Sequence, residues 1–171
     1  MIVLSVIGAR PQFVKAAVFR QALKECSIEE TLVHTNQHYD HVMSEGIFSD
    51  LGVNSPEIKL SLQNRSHGGM TGELLQKLEE VIISVSPDFV NVYGDTNSTL
   101  AGALAAAKLN IPVIHIESGL RSFNKTMPEE INRILTDHMA KFLFCPTSTA
   151  VSNLHNENII DGVFPRWGYH V

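Results

Sequence analysis

Phe89-Val-Asn-Val-Tyr-Gly94-Asp-Thr-Asn-Ser-Thr99 is an apolar run that ends in a glycine, followed by one carboxylate, one amide and three hydroxyls. Pro112-Val-Ile-His-Ile116-Glu-Ser-Gly-Leu-Arg121 repeats the arrangement, with Glu117 at the end of its apolar run. A short apolar run stopped by a polar turn and followed by helical spacing reads as a buried strand feeding a helix. Leu100, Ala101, Leu104 and Ala105 supply that spacing over 97–108, and Pro128 opens a second helix with Glu129 and Glu130 in its first turn. In an open parallel sheet, ligands bind beyond the carboxyl ends of the strands. Asp95 and Glu117 then lie on one lip, beyond two neighbouring strands.

The rest of the chain carries the same alternation. Ile2 to Ile7 is a near-continuous apolar strand, expected where both faces are buried. Gly8-Ala-Arg-Pro11 turns into a helix reaching about Cys26. Strands follow at Thr31 to Thr35 and, more weakly, at Glu57 to Leu62, with a helix from His38 to about Leu51 between them, closed by Gly52. A loop at 64–69 precedes a helix from Thr71 to about Ser86, stopped by Pro87. Lys141 to Cys145 is a sixth strand, the segment after Pro146 a helix to about Glu157, and Asp161 to Phe164 the start of a seventh strand. Six β-α repeats with right-handed crossovers predict a doubly wound parallel α/β sheet of Rossmann-like type.

Composition narrows the function classes. The chain has 171 residues, 44% hydrophobic and 18% charged, as a globular domain does. A formal net charge of −5 gives no electrostatic footprint for nucleic acid or an anionic membrane. No apolar run approaches the roughly 20 residues of a membrane span. The N-terminus lacks a basic leader and reads as a strand. Cys26 and Cys145 have neither metal nor redox spacing, so two buried free thiols in a cytoplasmic protein are expected.

Several side chains are placed for chemistry. Arg10 and Lys15 flank the start of the first helix, where a phosphate or carboxylate would meet them. Five capping-type residues in a row at 95–99 exceed what one helix start needs. His115, two residues before Glu117, is expected on the same face as that carboxylate, because strand side chains alternate. Arg121 pairs with Glu117 or faces the ligand. His38, Asp40 and His41 do not match metal-ligand spacings, so no metal site is expected.

The blocks Gly-Ala-Arg-Pro-Gln-Phe-Val-Lys15, Thr35-Asn-Gln-His38, Gly94-Asp-Thr-Asn-Ser-Thr-Leu-Ala101, His115-Ile-Glu-Ser-Gly-Leu-Arg121 and Met127-Pro-Glu-Glu-Ile-Asn-Arg133 resemble the non-hydrolysing UDP-N-acetylglucosamine 2-epimerases. The wording of Arg121-Ser-Phe-Asn and of 94–99 is also similar to the branch acting on UDP-2,3-diacetamido-2,3-dideoxyglucuronate. The resemblance implies one half of a glycosyltransferase-B-type architecture, with a UDP-sugar between two Rossmann-like domains and neither cofactor nor metal. It implies that Asp95, Glu117 and Glu129 are the acid/base carboxylates and that Arg10 and Lys15 steady the pyrophosphate. Arg133 and His115 would line the sugar pocket, and Gln37 and His38 would touch an allosteric sugar nucleotide. It further implies a homodimer.

The resemblance runs to about residue 164, and the family's C-terminal UDP-binding domain is not expected within these residues. Shifted by one base, codons for Trp167 to Val171 can read Gly-Asp-Ile-Met-Tyr, close to a family motif. Residues 165–171 are therefore expected to be an aberrant, frameshifted tail. The alternatives are a hydrolysing 2-epimerase and an inactive sugar-nucleotide-binding remnant.

Overall fold

The computed structural model describes residues 1–36, 55–64 and 66–165. The expected helix over 38–51, the pair Gln37 and His38, and the tail 166–171 lie outside them.

Seven strands form one sheet in the order β3-β2-β1-β4-β5-β6-β7, every neighbouring pair parallel. They are β1 (Ile2–Ile7), β2 (Glu29–His34), β3 (Ile58–Lys59), β4 (Phe89–Tyr93), β5 (Val113–Ile116), β6 (Phe142–Cys145) and β7 (Val163–Pro165). Among the described residues, five helices accompany them: α1 (Arg10–Glu25), α2 (His67–Val85), α3 (Asn97–Lys108), α4 (Pro128–Met139) and α5 (Ser148–Asn156). Chain order reverses between β1 and β4, which makes their carboxyl ends the topological switch point. The sequence-derived fold class holds, with strand and helix ends moved by a few residues.

Strand alternation buries both faces of the sheet. Leu4, Val6, Val90, Val92 and Val113 face Leu74, Leu78 and Ile82 of α2 and the alanines of α3. Ile7, Leu32 and Tyr93 face Phe13 and Ala16 of α1 on the other side. At Gly102 an added Cβ would stand 3.2 Å from Val92, so a glycine lets α3 lie close on the sheet.

Three expectations need correction. Helix α2 begins at His67 rather than Thr71, because Ser66 caps it by accepting from the Gly69 amide at 3.2 Å and the first turn tolerates both glycines. Strand β3 shrinks to two residues at the sheet edge, where one neighbour supplies all its pairing. Cys26 is exposed, since it follows the last buried position of α1; Cys145 is buried.

Helix α4 inverts the usual pattern. Its buried residues are Glu130, Asn132, Thr136 and Asp137, whereas Met127, Ile131 and Leu135 are 41%, 44% and 47% exposed. A helix on a water-facing surface normally does the reverse. The polar stripe faces inward because it builds the site described next.

Candidate active site

The switch point is held by a single amide. Gln12 Oε1 accepts from the backbone N–H of Gly8 (2.7 Å) and Ala9 (3.1 Å), and its Nε2 donates to the Tyr93 carbonyl at 2.7 Å. This buried side chain locks the β1–α1 turn to the β4–α3 turn. At Gly8 an added Cβ would collide with Ser98 and stand 2.7 Å from Thr35 Oγ1, and those two hydroxyls meet each other at 2.8 Å. Thr96 caps α3, and Thr99 Oγ1 donates to the Tyr93 carbonyl at 2.6 Å. The hydroxyl-rich run after Asp95 is thus consumed in building a rigid turn under the carboxylate.

Asp95 pairs with Arg133 of α4, whose guanidinium also reaches Glu130 at 3.2 Å. Asn132 Nδ2 donates to the Asp95 carbonyl at 2.9 Å and to Asn97 Oδ1 at 3.2 Å. Of the two adjacent glutamates, Glu130 is buried. Its carboxylate accepts from the Ser122 and Phe123 amides, both at 2.9 Å. Burial alone would raise its pKa, but those amides and Arg133 outweigh it and hold the carboxyl below the usual range. Glu129 is exposed at the helix start.

Glu117 meets Lys15 of α1, and both side chains stay about one-third exposed. Its backbone has φ 74°, a left-handed conformation that costs a non-glycine residue on the order of 1 kcal/mol. This turn overturns the expectation that Glu117 and His115 share a face. Alternation ends where the chain turns left-handed, so Glu117 swings to the α1 side. There its Oε2 lies 3.4 Å from the place a Cβ would take on Gly94. The Glu117 carboxylate therefore lies beside Gly94, at the start of the Asp95 turn.

His115 points the other way, fully buried, with Nδ1 2.7 Å from Asp137 Oδ1 and Nε2 2.8 Å from the Gly94 carbonyl. Asp137 Oδ2 accepts from the Gly119 amide at 3.1 Å and from Arg121 at 2.6 Å. Arg121 completes its fork on Glu157, with two bonds of 2.7 Å. Burial pushes the Asp137 pKa up, but His115 and Arg121 outweigh it and bring it below the ordinary value. Arg121 thus pairs with Asp137 and Glu157, not Glu117. Neither His115 nor Arg121 faces the open edge; both hold the turns that carry Asp95 and Glu117.

The structure brings together Lys15, Glu117, Asp95 and Arg133, with Arg10 exposed at the first position of α1. Sequence reading missed Gln12, Glu130, Asn132 and Asp137. Gln12 sits inside the Gly8–Lys15 block, and the polar stripe of α4 was a readable signal. Among the described residues, no group of three or more His, Cys, Asp or Glu is placed to hold a metal, and no helix is long and apolar enough to cross a membrane.

Residues 21–165 match the UDP-N-acetylglucosamine 2-epimerase family. The chain belongs to that family. It is 55% identical over 158 residues to the UDP-2,3-diacetamido-2,3-dideoxy-D-glucuronate 2-epimerase of Pseudomonas aeruginosa, covering 92% of this chain and 45% of that one. It is 46% identical over 154 residues to the UDP-N-acetylglucosamine 2-epimerase of Methanocaldococcus jannaschii, covering 90% and 42%. The crystal structure of the Methanocaldococcus jannaschii enzyme in complex with UDP-GlcNAc and UDP superposes with a TM-score of 0.92 at 43% identity, over 96% of this chain and 46% of that one. The MurG of Acinetobacter baumannii shares the fold, at 15% identity and a TM-score of 0.67. The chain spans about half the length of the curated relatives it matches.

Proposed function

We propose that this chain is the N-terminal, sugar-facing half of a UDP-N-acetylglucosamine 2-epimerase. The observation that carries the reading is the placement of the Glu117 carboxylate beside the Asp95 turn, each carboxylate steadied by its own cation on an open sheet edge. A hydrogen at C2 of a sugar is poorly acidic, so its removal must be coupled to departure of the group at C1. One carboxylate takes the C2 proton while the C1–O bond breaks and UDP leaves, giving a 2-acetamidoglycal with a C1–C2 double bond. UDP adds back to C1 as a second acid delivers a proton to the opposite face of C2. Asp95 and Glu117 are the acid/base pair, with Glu129 assisting from the start of α4. Lys15 and Arg10 stabilise the charge growing on the pyrophosphate.

The higher identity to the Pseudomonas relative supports UDP-2,3-diacetamido-2,3-dideoxyglucuronate as the alternative substrate. Phosphorus NMR of the product separates this chemistry from hydrolysis: UDP stays attached to the sugar in epimerisation and is freed in the hydrolysing reaction. Because this chain spans about half the length of its relatives, it is expected, taken alone, to bind weakly and turn over slowly or not at all. The reading also makes the protein cytoplasmic, where Cys26 stays reduced.

The outward stripe of α4 supports a homodimer. Met127, Ile131 and Leu135 run beside a groove of about 340 Å³ lined by Phe123, Ile134 and His138. A second copy is the occupant that fits, because stripe and groove lie on one element and a two-fold axis fills each with the other. Lys125 precedes the helix, and Glu157 meets His138 in its last turn at 3.3 Å. An antiparallel pair therefore also sets opposite charges face to face.

A further inference from the structure

We propose that His67 contacts the substrate and reads an oxygen on the sugar end of the nucleotide. The inference rests on the reading of this edge as a sugar-nucleotide site. His67 is the first residue of α2, following the carboxyl end of β3, so it stands on the same lip as Asp95. Its ring is exposed. The other described histidines differ from it. His34 and His115 are buried, while His138 and His155 sit in the last turns of α4 and α5.

A chain of amides orients the ring. Asn132 Nδ2 grips the Asp95 carbonyl at 2.9 Å and donates to Asn97 Oδ1 at 3.2 Å. That assigns the Asn97 amide, since Oδ1 is the acceptor and Nδ2 the donor. Asn97 Nδ2 lies 3.4 Å from His67 Nδ1, which accepts from it. Neutral imidazole carries its single proton on the other nitrogen when one nitrogen accepts. His67 therefore presents Nε2–H as a donor, and the residue that grips the Asp95 backbone is two hydrogen bonds away. The partner such a donor selects is a carbonyl, carboxylate or hydroxyl oxygen. An acetamido carbonyl or a sugar carboxylate close to the carbon served by Asp95 meets that description. This makes His67 a specificity-determining residue rather than a member of the acid/base pair.

The test is solution NMR on the labelled chain, following the His67 Cε1–H signal, assigned by its loss in His67→Asn, together with the Gly94 and Asp95 amides. UDP-N-acetylglucosamine, UDP-2,3-diacetamido-2,3-dideoxyglucuronate and UDP alone are titrated in separate arms. Both sugar nucleotides are expected to move the Gly94, Asp95 and His67 signals, and UDP alone to leave His67 in place. The variant His67→Ala keeps its melting temperature, because the ring is exposed, and binds the sugar nucleotides about tenfold more weakly, the loss of one hydrogen bond. Shifts at Gly94 and Asp95 without His67, equal affinity in His67→Ala, or an equal His67 shift with UDP would overturn the inference and leave the reading of the edge standing. No shift with any ligand would overturn the reading and this inference with it.

Discussion

Asp137 and His115 form a buried pair at 2.7 Å that ties helix α4 to strand β5, and through the other ring nitrogen to the Gly94 carbonyl. The same aspartate takes the Gly119 amide and Arg121. The turns that carry Asp95 and Glu117 therefore both hang on one side chain. Replacing it leaves a buried guanidinium short of one partner and His115 Nδ1 without its own.

Asp137→Ala is expected to lose about 3–5 kcal/mol of stability, the cost of breaking a buried charge pair by removing one member. Urea denaturation at neutral pH measures it. The pH dependence has a defined sign. A carboxyl whose folded pKa is depressed contributes stability above its unfolded value, near 3.8, and loses it as pH falls through the folded value. The gap between wild type and the variant should shrink below about pH 4.

Gln12→Leu keeps the volume and removes both halves of the amide clip. The Gly8 and Ala9 amides lose their side-chain partner, and the Tyr93 carbonyl keeps only the Thr99 hydroxyl. A loss of about 2–3 kcal/mol is expected. Thermal denaturation reads it, and any ligand affinity of the edge should fall with it.

Glu30 carries the opposite pH signature. It accepts from Ser5 at 2.5 Å and meets Arg20 at 3.2 Å, yet burial dominates and raises its pKa. A carboxyl with a raised folded pKa costs stability as pH climbs above its unfolded value, near 4.5. The melting temperature of Glu30→Gln relative to wild type should therefore rise between pH 4 and pH 7. A difference that stays flat or falls would show that the pair with Arg20 outweighs burial.

Ile131→Glu and Leu135→Glu test the outward stripe of α4. Both residues are nearly half exposed, so neither change should lower the stability of a single copy by more than about 0.5 kcal/mol. Sedimentation should show the wild-type chain associating and each variant as a monomer. A monomeric wild type would remove the homodimer.

The alternation of apolar runs with helical spacing was enough to read the sheet, because each buried parallel strand is apolar on both faces. Strand β4 and helix α3 begin and end where the sequence placed them. The site was only half legible. Asp95, Glu117 and Lys15 follow from their place after strands or near a helix start, whereas Arg133, in the middle of α4, came only through the family resemblance. The direction of Glu117 did not, since a left-handed residue breaks the alternation and nothing local announces it at a glutamate. His115 and Arg121 look like ligand contacts by type and position. Their partners, Asp137 and Glu157, lie 16 to 36 residues away in sequence, and only folding brings them together. Gln37 and His38 fall outside the described residues.

The most direct test of the acid/base assignment is proton NMR of UDP-N-acetylglucosamine in D2O, watching for deuterium at C2. This half taken alone is expected to give none, and adding the C-terminal half of a related epimerase should start the exchange. In that complemented enzyme, Asp95→Asn or Glu117→Gln should slow it by about 10²–10⁴. Exchange that continues at the wild-type rate in both variants would contradict the account, because the proton would then be moved by groups elsewhere.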